Sequence, residues 1–179
     1  ANVTLALALD VQRACEDGQS GFRGACIMLD ARTGAVRAIA SAPTYDPNAF
    51  VGGISGVRWQ QYRDDPHKPL SFRAIAGTYP PGSVWKALVS GAAIQSGKHS
   101  PSTTVTCGGL INMWGRPRHC WKEEGHGTVD MFQALVRSCN VYYYTAGRDI
   151  GPEPIWDLAR PIGFGQATGI DVPGEQAGV

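Results

Sequence analysis

The sequence predicts an α+β domain in which a β-hairpin near the start precedes a series of helices. Two short apolar runs on either side of the turn-rich segment Asp30–Gly34 indicate the hairpin. Apolar residues at helical spacing recur from Ser83 onward and indicate the helices. Between these regions, residues 43–81 are rich in Pro, Gly, Asp and Asn, which indicates loops with short helices.

The first part of the chain is expected to form a strand, a short helix and a hairpin. A strand is expected around Val3 to Leu9, after which Asp10 is a candidate cap for a short helix that ends near Glu16. The hairpin follows over Gly24–Ser41. Its two arms are expected to be early strands of an antiparallel sheet, at Ala25–Leu29 and Ala35–Ile39.

The later part of the chain is expected to form a helical subdomain. Its predicted helices are Ser83–Ser96, Val129–Arg137, Tyr142–Ile150 and Glu153–Ile162. The segment from Cys107 to Cys120 is rich in Gly, Pro and Trp and has no apolar period, so we expect a loop that needs a crosslink. His67 and His99 are expected to be surface loop residues.

Composition excludes several classes of function. A length of 179 residues suggests one domain, and a formal net charge of +1 argues against a nucleic-acid-binding surface. No apolar run reaches ~18 residues, so the sequence predicts no membrane span. No signal peptide is recognisable either.

A candidate nucleophile lies in the segment Tyr79-Pro80-Pro81-Gly82-Ser83-Val84-Trp85-Lys86. Ser83 and Lys86 stand three residues apart at the start of an apolar helical pattern, so both face the same side of the helix. An amine beside a hydroxyl at a helix N-terminus is one way to activate a weakly nucleophilic alcohol. Alone, however, a Ser-x-x-Lys pattern is also met as an N-cap serine and a solvated lysine.

A second motif strengthens the catalytic interpretation. Ser138-Cys139-Asn140 follows a short helical pattern and precedes Tyr142-Tyr143-Tyr144, which we expect to lie mainly in the core. Ser-x-x-Lys, then Ser-x-Asn, then Lys-Thr-Gly is the series of motifs in penicillin-binding proteins and serine β-lactamases. Neither Lys-Thr-Gly nor Lys-Ser-Gly occurs in these residues.

The chain resembles the transpeptidase domain of elongation-type class B penicillin-binding proteins over essentially its whole length. Besides the two motifs, the segments that carry the resemblance are 24–41, 41–50, 65–70, Arg73-Ala74, Gly125-His126-Gly127, Gly163-Phe164-Gly165 and 168–171. The resemblance implies a penicillin-binding, β-lactamase-like fold. It also implies a peptidoglycan D,D-transpeptidase that cross-links stem peptides and is acylated by β-lactam antibiotics.

Four residues acquire roles from this resemblance. Ser83 would attack the penultimate D-alanine of a stem peptide, with Lys86 as the base. Ser138 would relay the proton to the leaving amine. Asn140 would bond the substrate amide and help to hold Lys86.

The resemblance also places the chain within a larger protein. In the family a membrane anchor and a pedestal domain precede this region, and the late strands with the third motif follow it. Residues 1–179 are therefore expected to be the N-terminal part of a transpeptidase domain, truncated at both ends. The whole protein would lie on the periplasmic face of the bacterial inner membrane. There it would contact a glycosyltransferase of the elongation machinery through the regions outside this chain.

The cysteines predict a further site and leave two alternatives. Five is an odd number, so not all of them can form disulfides within the chain. Cys107, Cys120, His126 and Cys139 together are a donor set suited to a closed, structural zinc site. In an oxidising compartment Cys107 and Cys120 could instead form a disulfide. Cys15 and Cys26 are expected to be small buried residues.

Two other functions share these motifs. A β-lactamase or β-lactam sensor domain would use the same serine and lysine, although such domains usually lack the Pro-Asn-Phe and Gly-His-Gly segments found here. Without the third motif, the chain could also be a catalytically incomplete scaffold fragment of the transpeptidase. Turnover of penicillin distinguishes the first alternative, and penicillin labelling distinguishes the second.

Overall fold

A computed structural model describes residues 4–178 of the chain. The chain divides into two compact units. The first runs up to Thr78 and includes Gly169–Gln176, and the second consists mainly of Tyr79–Thr168. Helices and short antiparallel strands occur in both units, which confirms the predicted α+β class.

The first unit is built around the predicted hairpin. Its elements are α1 (Leu9–Gly18), β1 (Gly24–Leu29), β2 (Val36–Ala42), α2 (Gly56–Asp64) and α3 (Arg73–Ala76), with a 3-10 turn at Pro47–Phe50. Strands β1 and β2 pair antiparallel, with Gly24 opposite Ala42 and Met28 opposite Ala38. The buried residues Ala38 and Ala40 face helix α1, where they pack with Cys15.

The prediction of a strand around Val3 to Leu9 is wrong for residues 4–9, and Val3 lies outside the described residues. Residues 4–8 form no strand, and Leu9 is already the first residue of α1. Residues 4–8 lie beside β2, but only one backbone hydrogen bond joins them to that strand, from Ala8 N to Arg37 O at 2.8 Å. Asp10 is not the helix cap either. Ala8 is the N-cap residue, and Asp10 lies in the first turn of α1, where its negative charge interacts favourably with the helix dipole.

The second unit carries most of the buried residues. Its helices and strands are α4 (Trp85–Gln95), β3 (Val105–Cys107), β4 (Leu110–Met113), β5 (Arg116–His119), β6 (Gly127–Val129), α5 (Met131–Val136), α6 (Asn140–Ile150) and α7 (Glu153–Ala159). Two 3-10 turns, Gly82–Val84 and Arg160–Ile162, complete it. All four predicted helices are present. Val89 and Ala93 of α4 and Tyr142 and Ala146 of α6 belong to one core cluster.

The segment from Cys107 to Cys120 is not the irregular loop that its composition suggests. Strands β4 and β5 form a hairpin through Trp114 and Gly115, whose φ angles are 49° and 74°. Two successive residues at positive φ are typical of the tight turns that match the twist of a hairpin. Backbone pairing, which does not require an apolar period, therefore orders this segment.

His99 is buried, which corrects the expectation of a surface position. Only 7% of the residue is exposed, and its Nε2 lies 3.2 Å from Asp149 Oδ2. The ring also packs edge-on against Tyr142. The sequence did not reveal this partner because Asp149 lies 50 residues away, at the end of α6. His67 is exposed, as predicted.

Within residues 4–178, none of the helices has the length and apolarity required to cross a membrane.

Candidate active site

Ser83 lies at the surface at the start of α4. Pro80 and Pro81 precede Gly82, whose φ of 60° suits glycine and turns the chain into the 3-10 turn Gly82–Val84. Helix α4 follows directly, so Lys86 lies on its first turn. Ser83 is exposed whereas only 8% of Lys86 is exposed, so the hydroxyl faces solvent and the amine lies inside the unit.

Ser138 connects α5 to α6 with an unusual backbone conformation. Its φ is 51°, a left-handed geometry that a residue with a side chain adopts at a cost of about 1 kcal/mol or more. Backbone bonds on both sides hold it, from Ser138 N to Leu135 O at 3.1 Å and from Cys139 N to Ala134 O at 2.8 Å. Cys139 then caps α6, whose first residue is Asn140.

These two segments meet in one hydrogen-bond network. Lys86 Nζ donates to Ser138 O at 2.8 Å, to Ser138 Oγ at 2.9 Å and to Asn140 Oδ1 at 2.7 Å. Ser138 Oγ in turn lies 3.0 Å from Ser83 Oγ. The structure thus brings all four predicted catalytic residues together. Ser138 Oγ thus links the Ser83 hydroxyl to the Lys86 amine.

The network suits a neutral lysine as well as a charged one. Burial lowers the pKa of Lys86, although Cys120 and Cys139 act in the opposite direction. A neutral amine has two N–H donors and one lone pair. Ser138 O and Asn140 Oδ1 can only accept and would take the two donors. The lone pair would then face Ser138 Oγ, whose hydroxyl can donate.

Three residues outside the predicted catalytic set support this network. The ring of Tyr143 lies under Lys86, with Nζ 5.6 Å from its centroid. The Tyr143 hydroxyl is 2.8 Å from Ser90 Oγ, one helical turn beyond Lys86. The backbone carbonyl of His119 accepts from Asn140 Nδ2 at 3.3 Å. Spacing on α4 and α6 could have suggested Tyr143 and Ser90, but nothing local pointed to His119.

The predicted metal donors also converge. One donor atom from each of Cys107, Cys120, His126 and Cys139 lies within 4.8 Å of all the others. His126 Nδ1 is 3.6 Å from Cys107 Sγ and 3.5 Å from Cys120 Sγ. A tetrahedral zinc ion with its usual bond lengths places nitrogen and sulfur about 3.6 Å apart. The cluster can therefore hold a metal ion. All five cysteines are free thiols in the structure.

Two glycines allow the loops around this cluster to approach closely. A Cβ at Gly109 would lie 1.8 Å from Glu123 O, and one at Gly125 would lie 2.1 Å from Cys107 O. Both glycines also have positive φ, at 92° and 81°. No other residue fits these positions. The two glycines therefore let the segment after Cys107 pack closely against the segment before His126.

The protonation preferences of the cluster are mixed. Burial raises the pKa of Cys139 to about 12. Burial also acts to raise the pKa of Cys120, but backbone N–H groups outweigh it and the pKa is lowered. Burial, followed by nearby cationic side chains, lowers the pKa of His126, which favours the neutral imidazole that metals bind. His126 also borders an open cavity of about 760 Å³, which Trp121 and Arg137 help to line.

Residues 24–179 match the family described as the penicillin binding protein transpeptidase domain. The chain belongs to this family. It is 35% identical over 179 residues to the peptidoglycan D,D-transpeptidase MrdA of Escherichia coli K12. This match covers 99% of this chain and 28% of that protein. MrdA of Acinetobacter baumannii is 34% identical over 177 residues, covering 98% of this chain and 26% of that protein.

Solved structures of this family have the same fold. The chain matches PBP2 of Pseudomonas aeruginosa in complex with WCK 5153 with a TM-score of 0.87 and 32% identity, covering 98% of this chain and 40% of that one. It matches PBP2 of Helicobacter pylori with a TM-score of 0.87 and 34% identity, covering 97% and 33%. The chain spans about a quarter of the length of the curated relatives.

Proposed function

We propose that the chain is the nucleophile-bearing part of a peptidoglycan D,D-transpeptidase, and that residues 1–179 are the N-terminal part of its transpeptidase domain. One observation carries the proposal. Ser83 Oγ, Ser138 Oγ and Lys86 Nζ form a continuous chain of contacts at 3.0 and 2.9 Å, from the exposed hydroxyl to the buried amine. The relatives that are named D,D-transpeptidases support the same activity.

In the acylation step, Ser83 Oγ attacks the carbonyl carbon of the penultimate D-alanine in a stem peptide. Its proton passes through Ser138 Oγ to Lys86 Nζ, whose neutral form can accept it. The C–N bond to the last D-alanine then breaks, and the proton returns through Ser138 to that leaving amine. The Ser83 backbone N–H is one candidate donor for the oxyanion of the intermediate.

In the second step, an amine from a neighbouring strand attacks the carbonyl carbon of the Ser83 ester and forms the cross-link. The ester C–O bond breaks, and one proton of the amine passes by way of Lys86 and Ser138 to Ser83 Oγ. A β-lactam would follow the first step alone, since its opened ring stays attached as the acyl group. Penicillin-binding protein A from M. tuberculosis has been solved as a ceftriaxone acyl-enzyme complex, which supports acylation by such a compound. In these steps Asn140 would bond the substrate amide and help to hold Lys86. Its Oδ1 already accepts a 2.7 Å hydrogen bond from Lys86 Nζ.

We also propose that Cys107, Cys120, His126 and Cys139 hold a zinc ion. Three thiolates and an imidazole fill a tetrahedral shell, so the ion would be structural and would leave no position for water. The donor distances near 3.5 Å support this choice. The ion would hold the Ser-x-Asn motif in place through Cys139, its middle residue, and would exclude the competing Cys107–Cys120 disulfide.

The relatives support a setting for the whole protein. We propose that it acts at the periplasmic face of the bacterial inner membrane, on peptidoglycan stem peptides. It would contact a glycosyltransferase of the elongation machinery through regions outside the matched span. PBP2 of Helicobacter pylori has been solved in complex with MreC, which supports a protein of that kind as a further partner.

The decisive experiment is labelling of the intact natural protein with a fluorescent penicillin. We expect one label per chain on the tryptic peptide that contains Ser83, and no label in Ser83→Ala. Ser102→Ala, an exposed serine in a loop of the same unit, should label normally. Label retained by Ser83→Ala would overturn the assignment. Release of the label within seconds, with turnover of free penicillin, would favour a β-lactamase instead.

A further inference from the structure

The first unit contains a second pair of cysteines, which the catalytic proposal does not use. Helix α1 lies against the hairpin and is held there by Gln12. The Gln12 side chain accepts from Ile39 N at 2.8 Å and donates to Ile39 O at 3.1 Å. Cys15 lies one helical turn beyond Gln12 and so faces the same side of the helix.

Cys15 of α1 and Cys26 of β1 share one small apolar cluster between the helix and the hairpin. Cys15 is 8% exposed and forms a small buried cluster with Ala38 and Ala40. Cys26 lies opposite Ala40 in the hairpin and packs against the same cluster. The neighbouring Cys26 side chain and then burial raise the pKa of the Cys15 thiol.

We propose that Cys15 and Cys26 form a disulfide that joins α1 to β1. The two side chains pack on the same small cluster and lie on different elements, and the two Gln12 hydrogen bonds hold the helix against the hairpin. The pairing also explains why the number of cysteines is odd. Two would form this crosslink, and the other three, all in the second unit, belong to the Cys107, Cys120, His126 and Cys139 cluster.

The reaction requires an oxidant, for which a small-molecule disulfide is sufficient. Cys26 is the more accessible sulfur, so its thiolate attacks the reagent and releases one thiol. Cys15 then attacks the mixed disulfide at the Cys26 sulfur and releases the second thiol. Two protein thiols lose two electrons and two protons, and one reagent disulfide becomes two thiols. An oxidising compartment would keep the bond closed.

Trypsin provides a direct test, because cleavage after Arg13, Arg23 and Arg32 separates the two cysteines. The intact natural protein, loaded with Zn²⁺, would be equilibrated with oxidised and reduced glutathione, blocked with a maleimide and digested. We expect peptides 14–23 and 24–32 to be joined, with a mass two hydrogens below their sum. The native protein should form the disulfide at a ratio of oxidised to reduced glutathione about tenfold lower than the ratio that the protein needs when it is unfolded in concentrated urea.

The controls separate pairing from general thiol reactivity. Cys15→Ser should leave Cys26 alone, as a glutathione adduct or a maleimide adduct, with peptide 24–32 unlinked. Reductant should lower the melting temperature of the oxidised wild type but not that of Cys15→Ser. Glutathione on Cys26 of the wild type without a crosslink, or a link from either residue to Cys107, Cys120 or Cys139, would overturn the proposal. Penicillin labelling does not depend on any of these outcomes.

Discussion

Asn140 Nδ2 donates a 3.3 Å hydrogen bond to the backbone carbonyl of His119, the residue before Cys120. The Oδ1 atom of the same side chain accepts the 2.7 Å bond from Lys86. One amide therefore connects the lysine network to the end of β5, which is followed directly by Cys120, a proposed zinc ligand. If both proposals hold, the geometry of the cysteine cluster and the position of the base are coupled through this side chain.

Replacing Asn140 should disable the base without unfolding the unit. Asn140→Ala removes one of the three acceptors around Lys86 Nζ and releases the lysine from the His119 strand. We expect penicillin acylation to slow by about 10²-fold, within the range for loss of general-base catalysis. The second-order rate of labelling measures it. Asn112→Ala, an exposed asparagine on β4, should label at the wild-type rate. Equal rates in the two variants would contradict the role of Asn140.

Acylation should increase with pH, because Lys86 must be neutral to accept a proton. Burial lowers the pKa of Lys86, so the rise should be centred below the ordinary lysine value. Asn140→Asp places a carboxylate at the position of an amide that is 2.7 Å from Nζ, which favours the ammonium. Its profile should therefore move to higher pH. Labelling rates across a pH series check both points, and a profile that does not move would exclude Lys86 as the titrating base.

Removal of zinc should destabilise the second unit. We expect one zinc ion per chain by elemental analysis, and a melting temperature about 5–10 °C lower after treatment with a strong chelator. Acylation should slow as well and recover when Zn²⁺ is returned. Cys139→Ser should lose the metal, whereas Cys15→Ser should keep it, since Cys15 lies in the other unit. Full metal content in Cys139→Ser would rule out the proposed ligand set.

Two neighbouring glycines allow a matched test of loop packing. Gly109→Ala introduces a methyl group 1.8 Å from Glu123 O at a residue with positive φ. We expect a loss of at least about 2 kcal/mol in the free energy of unfolding, with reduced zinc content. Gly108→Ala meets nothing within 4 Å and should change stability little. Urea unfolding curves measure both. Similar curves for the two variants would show that the close approach is not needed.

Much of the fold could be predicted because its signals are local. The helix at Trp85–Gln95 follows from apolar spacing, and the Gly24 to Ala42 hairpin follows from two apolar runs around a turn. Predictions that depended on a distant partner were less successful. His99 was expected at the surface, but it is buried against Asp149, 50 residues further along the chain. The β4–β5 hairpin was not predicted, because its backbone pairing left no apolar pattern.

The sequence by itself determined the chemistry available to this protein. Ser83 and Lys86 share a helix face because three residues make nearly one helical turn, and the four metal donors were recognisable by residue type. Only the tertiary structure decided how these groups are connected. The contact of Ser138 with Ser83, the bond from Asn140 to His119 and the 4.8 Å cluster join segments up to 55 residues apart. Such contacts depend on the packing of α4 against α6 and on close backbone approach at Gly109 and Gly125, which no local pattern records.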